Sequence, residues 1–302
     1  GGAVKVHGVG SLTVGKITAD GGQLALSSDS GLTIDTINAG LAGTVNLSTA
    51  GAVHISGVVK GASLDVAASG EISLKTQVDQ LNINNTGATG AISITQNAAG
   101  GDLEIGSIQQ AAGNTDAINL STSSGNIVLP STNTFVARGD VSFTAQGTGA
   151  DVELGAQLVV PGTVTIHADG GNIIGNAVNG VDIIAQELHI TVGHQAGNAA
   201  APLNTQVNVL GASAANSTIV IHNTGDLEIG TDGLNTSDNG DGTIEVITSG
   251  NLIVNGDIAL GAGGTIHLEA QGGFLKLHKD ISTVGGSITL IGDSIEQKGT
   301  IT

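Results

Sequence analysis

The residues best suited to bind a ligand form the tripeptide Arg138, Gly139 and Asp140. Arg138 is the only arginine in the chain, and the tripeptide places its cation near a carboxylate, as in the peptides that integrins recognise. Apolar segments lie on both sides of the tripeptide, so we expect it at an exposed corner. The alternative is a purely structural turn, because Gly-Asp before an apolar segment recurs in this chain.

A second candidate site is the acidic segment Thr236–Val246. Within it, Asp238, Asn239 and Asp241 offer the side-chain oxygens that calcium prefers. The match to a calcium-binding loop is incomplete, because Ser237 stands where such a loop begins with Asp and Thr248 where it ends with Glu. Calcium is therefore the one cofactor that the sequence suggests, and an acidic turn without metal is the alternative.

Three glutamates, Glu104, Glu153 and Glu228, each stand between two apolar residues. A pair of carboxylates can cleave glycosidic bonds, but the middle residue of such a triplet faces solvent when the triplet is a strand. The chain also has one Arg and no Trp or Tyr to hold a sugar. We therefore predict no catalytic residues and no enzymatic activity. The closest histidines, His189 and His194, lack a third ligand at metal-binding spacing.

Charge and composition exclude several classes of protein. The 302 residues include 8 Lys and Arg against 26 Asp and Glu, a net charge of −18, so no basic surface is available for nucleic acid. The absence of Cys excludes disulfides and thiolate metal sites. No apolar run approaches the roughly 20 residues of a membrane-spanning helix, so we predict no transmembrane segment.

Repetition in the sequence predicts the fold. "GDLEIG" occurs at Gly101–Gly106 and again at Gly225–Gly230, and Ile244, Ile266 and Ile288 are spaced 22 residues apart. A period near 20 with several short strands in each period predicts a solenoid, and helical periodicity is absent. The predicted fold is all-β, a right-handed parallel β-helix of roughly 13 rungs of about 19–26 residues. Its interior is expected to be aliphatic, and its turns to carry ladders of asparagine amides at Asn126, Asn172 and Asn251.

We expect residues 1–302 to form one β-helix segment and a fragment of a longer repeat chain. The regular spacing breaks at residues 175–217, which predicts an irregular excursion that serves either ligand binding or a widened rung. Neither end shows an amphipathic cap. Both ends are therefore expected to stack against further repeats of the same chain or against other copies, end to end.

Four segments resemble a known family of repeat proteins: "NTGDLEIG" (Asn223–Gly230), "SGNLIVNGDI" (Ser249–Ile258), "GGTIHLEAQGG" (Gly263–Gly273) and "AAPLNTQVNVL" (Ala200–Leu210). The chain resembles the filamentous-haemagglutinin-like adhesins, large secreted proteins of Gram-negative bacteria built on a right-handed parallel β-helix. The resemblance implies a non-catalytic shaft of a secreted or cell-surface filament or matrix fibre, associated with the outer membrane. Its partners would be host or bacterial surfaces and their glycans, in adhesion or biofilm formation. The alternative is a glycan-active or carbohydrate-binding β-helix protein.

Overall fold

The computed structural model describes residues 2–175, 180–215, 218–237 and 242–302. Its parallel strands stack as an all-β solenoid of about 13 turns, which confirms the predicted fold class. Among the described residues, the only helical element is a single 3₁₀ turn, Ala98–Gly100. The chain divides into two compact units, residues 1–147 (unit 1) and residues 148–302 (unit 2).

Unit 1 contains two parallel ladders of strands. In the odd ladder β1, β3, β5, β7, β9 and β11 pair in turn, and in the even ladder β2, β4, β6, β8, β10, β12 and β15 do so. The short strands β13 and β14 pair with the first and second halves of β11, respectively. The bounds are β1 (Ala3–Gly8), β2 (Ser11–Thr18), β3 (Gln23–Ser28), β4 (Gly31–Asn38), β5 (Thr44–Thr49), β6 (Val53–Lys60), β7 (Ser63–Ala68), β8 (Ile72–Gln77), β9 (Gln80–Asn85), β10 (Ile92–Gln96), β11 (Leu103–Gln110), β12 (Ile118–Thr122), β13 (Ile127–Leu129), β14 (Thr134–Val136) and β15 (Val141–Thr148).

Unit 2 repeats this plan. The β16 ladder joins β16, β19, β22, β25, β27, β30 and β33, and the β18 ladder joins β18, β21, β24, β26, β28, β31 and β34. The bounds are β16 (Val152–Leu154), β17 (Leu158–Val159), β18 (Thr163–Gly170), β19 (Ile173–Gly175), β20 (Ile183–Ile184), β21 (Glu187–Val192), β22 (Gln195–Ala196), β23 (Leu203–Gln206), β24 (Val209–Ala214), β25 (Thr218–Asn223), β26 (Leu227–Thr236), β27 (Thr243–Thr248), β28 (Leu252–Val254), β29 (Ile258–Ala262), β30 (Thr265–Ala270), β31 (Phe274–Leu277), β32 (Ile281–Val284), β33 (Ser287–Ile291) and β34 (Ser294–Gln297).

The strand register confirms the predicted 22-residue step. Ile244 pairs with Ile266, and Ile266 pairs with Ile288. The lower limit predicted for a rung is wrong, because Ser63 pairs with Gln80, only 17 residues later. This rung is two residues shorter than the preceding one because β8 has six residues where β6 has eight, whereas the connecting turns have the same lengths.

The core of each rung is aliphatic. In the odd ladder Leu24, Val45, Leu64 and Leu81 stand directly above one another, and each is 0% exposed. Strands about 4.8 Å apart bring these side chains into contact along the stack. Alternate residues along the same strands point outward, which explains the period-2 pattern of the sequence.

The described turns carry hydrogen-bonded ladders, but these are not the predicted rows of asparagine amides, because Asn126, Asn172 and Asn251 each lie beside an aspartate of the preceding rung. The Asp226 carboxylate accepts the backbone N–H of Asn251 at 2.8 Å, and the Asn251 side-chain oxygen accepts the N–H of Phe274 at 3.1 Å. Asp151, Asn172 and Gln195 repeat the arrangement elsewhere in unit 2. Each side chain thus satisfies a backbone donor of the next rung, at turns that are partly or fully exposed.

Residues 175–217 depart from the ladder less than predicted. The described strand Glu187–Val192 pairs in full register with Thr163–Ala168 on one side and Val209–Ala214 on the other. Among the described residues of this segment, the loop Gly197–Pro202 leaves the ladder between β22 and β23, and both of these strands pair with β25. Residues 176–179, 216 and 217 lie outside the described residues. The polar residues between the apolar ones made this segment look irregular in the sequence, but its apolar residues lie in register with those of the neighbouring rungs.

We expect Ile266→Asp to unfold its unit, because the side chain is 0% exposed and would bury an unpaired charge at a cost of several kcal/mol. Thr265→Asp is the matched control, since the exposed neighbour on the same strand should change stability by less than about 1 kcal/mol. Thermal unfolding followed by circular dichroism measures both. Equal shifts of Tm would contradict the inward assignment of Ile266.

Candidate functional site

The predicted tripeptide lies at an exposed corner between β14 and β15. The Arg138 and Asp140 side chains are exposed, as expected, while Gly139 is half-buried. The backbone N–H of Arg138 donates to Gln110 Oε1 at 2.9 Å, and the carbonyl of Asp140 accepts the N–H of Ile118 at 2.9 Å. The adjacent rung therefore fixes the backbone on both sides of Gly139, while the two charged side chains reach solvent.

Gly139 itself has a structural role. A Cβ at this position would lie 2.1 Å from the carbonyl oxygen of Thr115 and 2.9 Å from that of Asp116. Only glycine fits such a close approach of two backbones. A ligand at this corner would thus contact Arg138 and Asp140, whereas Gly139 allows the rungs to pack.

The calcium site cannot be built from described residues, because Asp238, Asn239 and Asp241 lie outside them. Two carboxylates beside that segment have other partners: Asp232 bonds to His189 and Glu245 bonds to His222. In the part of the chain that the structure describes, no three His, Cys, Asp or Glu side chains are placed to hold a metal ion.

His189 has carboxylate neighbours that the sequence pattern did not reveal. Its Nδ1 lies 2.8 Å from Asp232 Oδ2, and its Nε2 lies 3.5 Å from Glu187 Oε2. Gly211 pairs with His189 in the ladder, and a Cβ there would lie 2.8 Å from that of Asp232. The missing side chain at Gly211 leaves the space in which His189 and Asp232 meet. Both ring nitrogens can donate to these carboxylates when the imidazole is protonated.

A second His–carboxylate group lies on the outer face of β25, β27 and β30. His222 lies 3.1 Å from Glu245, and His267 lies 3.1 Å from Glu269. The register places Glu245 directly beside His267. These pairs are partly exposed, so each contributes little to stability even when the histidine is charged.

The three glutamates considered for catalysis do not form a pair. Glu104 accepts a hydrogen bond from Gln80 at 2.9 Å, and Glu228 accepts one from Asn255 at 2.8 Å. Glu153 lies on the β16 ladder, whereas Glu228 lies on the β18 ladder. All three are half-buried. In Glu104 and Glu228 the carboxylate bonds to an amide of a neighbouring rung.

A shallow groove of about 290 Å³ runs across the outer face of β5, β7 and β9. Its floor includes Ala67, which pairs with Ser48 on one side and Asn84 on the other. The small alanine leaves a depression between these two polar residues. Asn82 donates to Asp65 at 2.9 Å and accepts from Ser107 at 3.2 Å. Among the described residues, no side chain hydrogen-bonds to those of Ser48 and Asn84, so both can bind a ligand.

Comparison with family models, curated proteins and solved structures found no match to this chain. No helix of the described residues has the length and apolar character needed to cross a membrane.

We expect Gly139→Ala to destabilise unit 1 by about 1–3 kcal/mol, because its Cβ would collide with the Thr115 carbonyl. Arg138→Ala removes an exposed side chain and should change stability by less than about 0.5 kcal/mol. Chemical denaturation measures both changes. A Gly139→Ala variant as stable as the wild type would contradict the close contact between position 139 and the Thr115 carbonyl.

Proposed function

We propose that the chain is a non-catalytic structural shaft in a secreted or cell-surface filamentous adhesin or matrix fibre, acting in adhesion or biofilm formation. The observation that carries the proposal is the continuity of the parallel ladders within each unit. Every inner strand there hydrogen-bonds to a rung on each side, and one aliphatic stack runs through the rungs. Such a chain gains length rung by rung without needing a new core.

The outer surface supports a role in binding other molecules rather than in catalysis. His222 of β25 bonds to Glu245 of β27, and His267 bonds to Glu269 within β30, so these titratable groups are paired with one another. The corner with Arg138 and Asp140 presents two opposite charges on a fixed backbone. We propose this corner as the contact with a host or bacterial surface protein, because a cation and a carboxylate held together suit a groove with complementary charges.

Deletion of one whole rung tests the shaft. Removing residues 243–264 joins Gly242 to Thr265, so that β30 takes the place of β27 beside β25. We expect the shortened chain to keep its β-sheet circular dichroism spectrum and to support attachment of the producing cells as well as the wild type does. A shaft tolerates this change because the ladder re-forms in register.

The matched control removes half a rung, residues 243–253, and should abolish folding because the remaining strands no longer align. Antibody labelling of intact and permeabilised cells locates the chain, and labelling of permeabilised cells alone would contradict surface exposure. A folded whole-rung deletion that loses all attachment would contradict the shaft and indicate a binding or catalytic function in that rung.

The groove across β5, β7 and β9 favours carbohydrate binding as a second candidate function. Its walls carry amide and hydroxyl groups, which suit the hydroxyls of an uncharged sugar. Asp65 and the net charge of −18 disfavour an anionic ligand.

If the groove binds sugars, Asn84→Ala should weaken binding of a neutral oligosaccharide about tenfold, since one hydrogen-bonding partner is lost. Isothermal titration of the wild type against a set of neutral oligosaccharides measures the affinity. Asn119→Ala, on the even ladder and outside the groove, is the control. Absence of heat with every sugar, or equal loss in the control, would rule this groove out.

A further inference from the structure

A groove of about 250 Å³ crosses the outer face of unit 2 where β24, β26, β28 and β31 begin, and we call it the Phe274 groove. Ile253 and Phe274 give it apolar surface, and its polar lining comes from Asn208, Asp226, Glu228 and Asn251. The groove considered above for sugars lies across β5, β7 and β9 of unit 1, so the two sites are separate.

The strand register places two carboxylates beside the floor of the Phe274 groove. Glu228 pairs with Ile253, which is half-buried and pairs in turn with Lys276. Asp226 stands two residues before Glu228, so the alternation of the strand turns both side chains to the same face, about 7 Å apart. A ligand that lies on Ile253 can therefore reach both carboxylates.

Each of these carboxylates keeps one oxygen available for a ligand. Glu228 Oε1 accepts a hydrogen bond from the Asn255 amide at 2.8 Å. Asp226 Oδ1 accepts from the backbone and the side chain of Asn251 at 2.8 and 3.1 Å. Within the described ranges, Glu228 Oε2 and Asp226 Oδ2 have no hydrogen-bond or ion-pair partner. An ionised carboxylate accepts hydrogen bonds and does not donate them, so the ligand must bring donors.

The ring of Phe274 favours a donor that is positively charged. Lys276 Nζ lies 5.3 Å from the centroid of this ring, so the ring already attracts one cation. Lys276 does not line the groove, and its ammonium pairs with Glu296 at 3.0 Å. The part of the ring that lines the groove is therefore available to a second cation.

We propose that the Phe274 groove binds an arginine side chain of a basic peptide segment on a partner protein. A guanidinium carries five donors in a planar fork that matches carboxylates, and it stacks on aromatic rings. Ile253 and Phe274 offer apolar surface to the methylene stem of the arginine. The net charge of −18 attracts a basic segment to the chain. The inference is independent of the proposed function, since it depends only on the residues of this groove.

An NMR titration of the 302-residue chain tests the proposal at the groove itself. The probe is the pentapeptide Gly-Gly-Arg-Gly-Gly with blocked ends, and the readout is the δ1 methyl signal of Ile253. We expect this signal to shift in a saturable way and the affinity to fall as salt screens the charges. The same peptide with citrulline, which has the shape of arginine without its charge, should bind at least about tenfold more weakly.

Variants of the chain separate the contributions of the carboxylate and the ring. Glu228→Gln should weaken binding of the arginine peptide about tenfold, since the amide oxygen can still accept from Asn255 but the charge is lost. Phe274→Leu should weaken it about fourfold, because the cation–π contact is lost while apolar surface remains. Glu104→Gln is the matched control, since Glu104 has the same place in the other "GDLEIG" segment. It should stay within about twofold of wild type, and thermal unfolding verifies that each variant is folded.

Four outcomes would overturn the proposal. They are an unchanged Ile253 signal, equal affinity for the citrulline peptide, equal affinity in Glu228→Gln, and tighter binding of a neutral oligosaccharide than of the arginine peptide at Ile253. A second copy of this chain is the competing occupant, because Arg138 is exposed. An Ile253 signal that moves with protein concentration alone, and no longer does so in Arg138→Ala, would assign the groove to that copy and contradict a partner protein.

Discussion

Each rung must place the same kind of side chain at the same inward position as the rungs beside it, because parallel strands lie only about 4.8 Å apart. This constraint explains the aliphatic interior, in which Leu24 and Leu64 lie in one continuous stack. It also explains the turns, where Asp226 and Asn251 each bond to a backbone N–H of the next rung. The same constraint accounts for Gly139, which lies where two rungs approach too closely to leave room for a Cβ.

The fold was predictable because its repeat is local and its register is set by apolar spacing. Ile244, Ile266 and Ile288 are equally spaced in sequence and stand side by side in the structure. The ladder to which a strand belongs was not predictable. The similar segments Asp151–Leu154 and Asp226–Ile229 lie on different ladders of unit 2. Both ladders need the same turn followed by the same alternation, so the motif identifies a strand without identifying its face.

The candidate site was predictable only where its residues are neighbours in sequence. Arg138 and Asp140 lie at the expected corner because apolar strands on both sides define it. The contact between His189 and Asp232 spans 43 positions and depends on the absence of a side chain at Gly211. No local pattern signals such a contact, because it requires the register of three strands. The calcium prediction at Asp238, Asn239 and Asp241 remains a prediction, since those residues lie outside the described part of the chain.

The loop Gly197–Pro202 interrupts what would otherwise be a single strand, yet β22 and β23 on its two sides both pair with β25. Reciprocal backbone hydrogen bonds of 3.0 Å between Asn198 and Ala201 close the loop on itself. Foreign peptide sequence inserted between Asn198 and Ala201 would therefore leave the neighbouring register intact. Substitutions or insertions in such a loop can change the exposed surface while the interior side chains stay the same. The residues available for recognition can therefore diverge independently of the residues that maintain the fold.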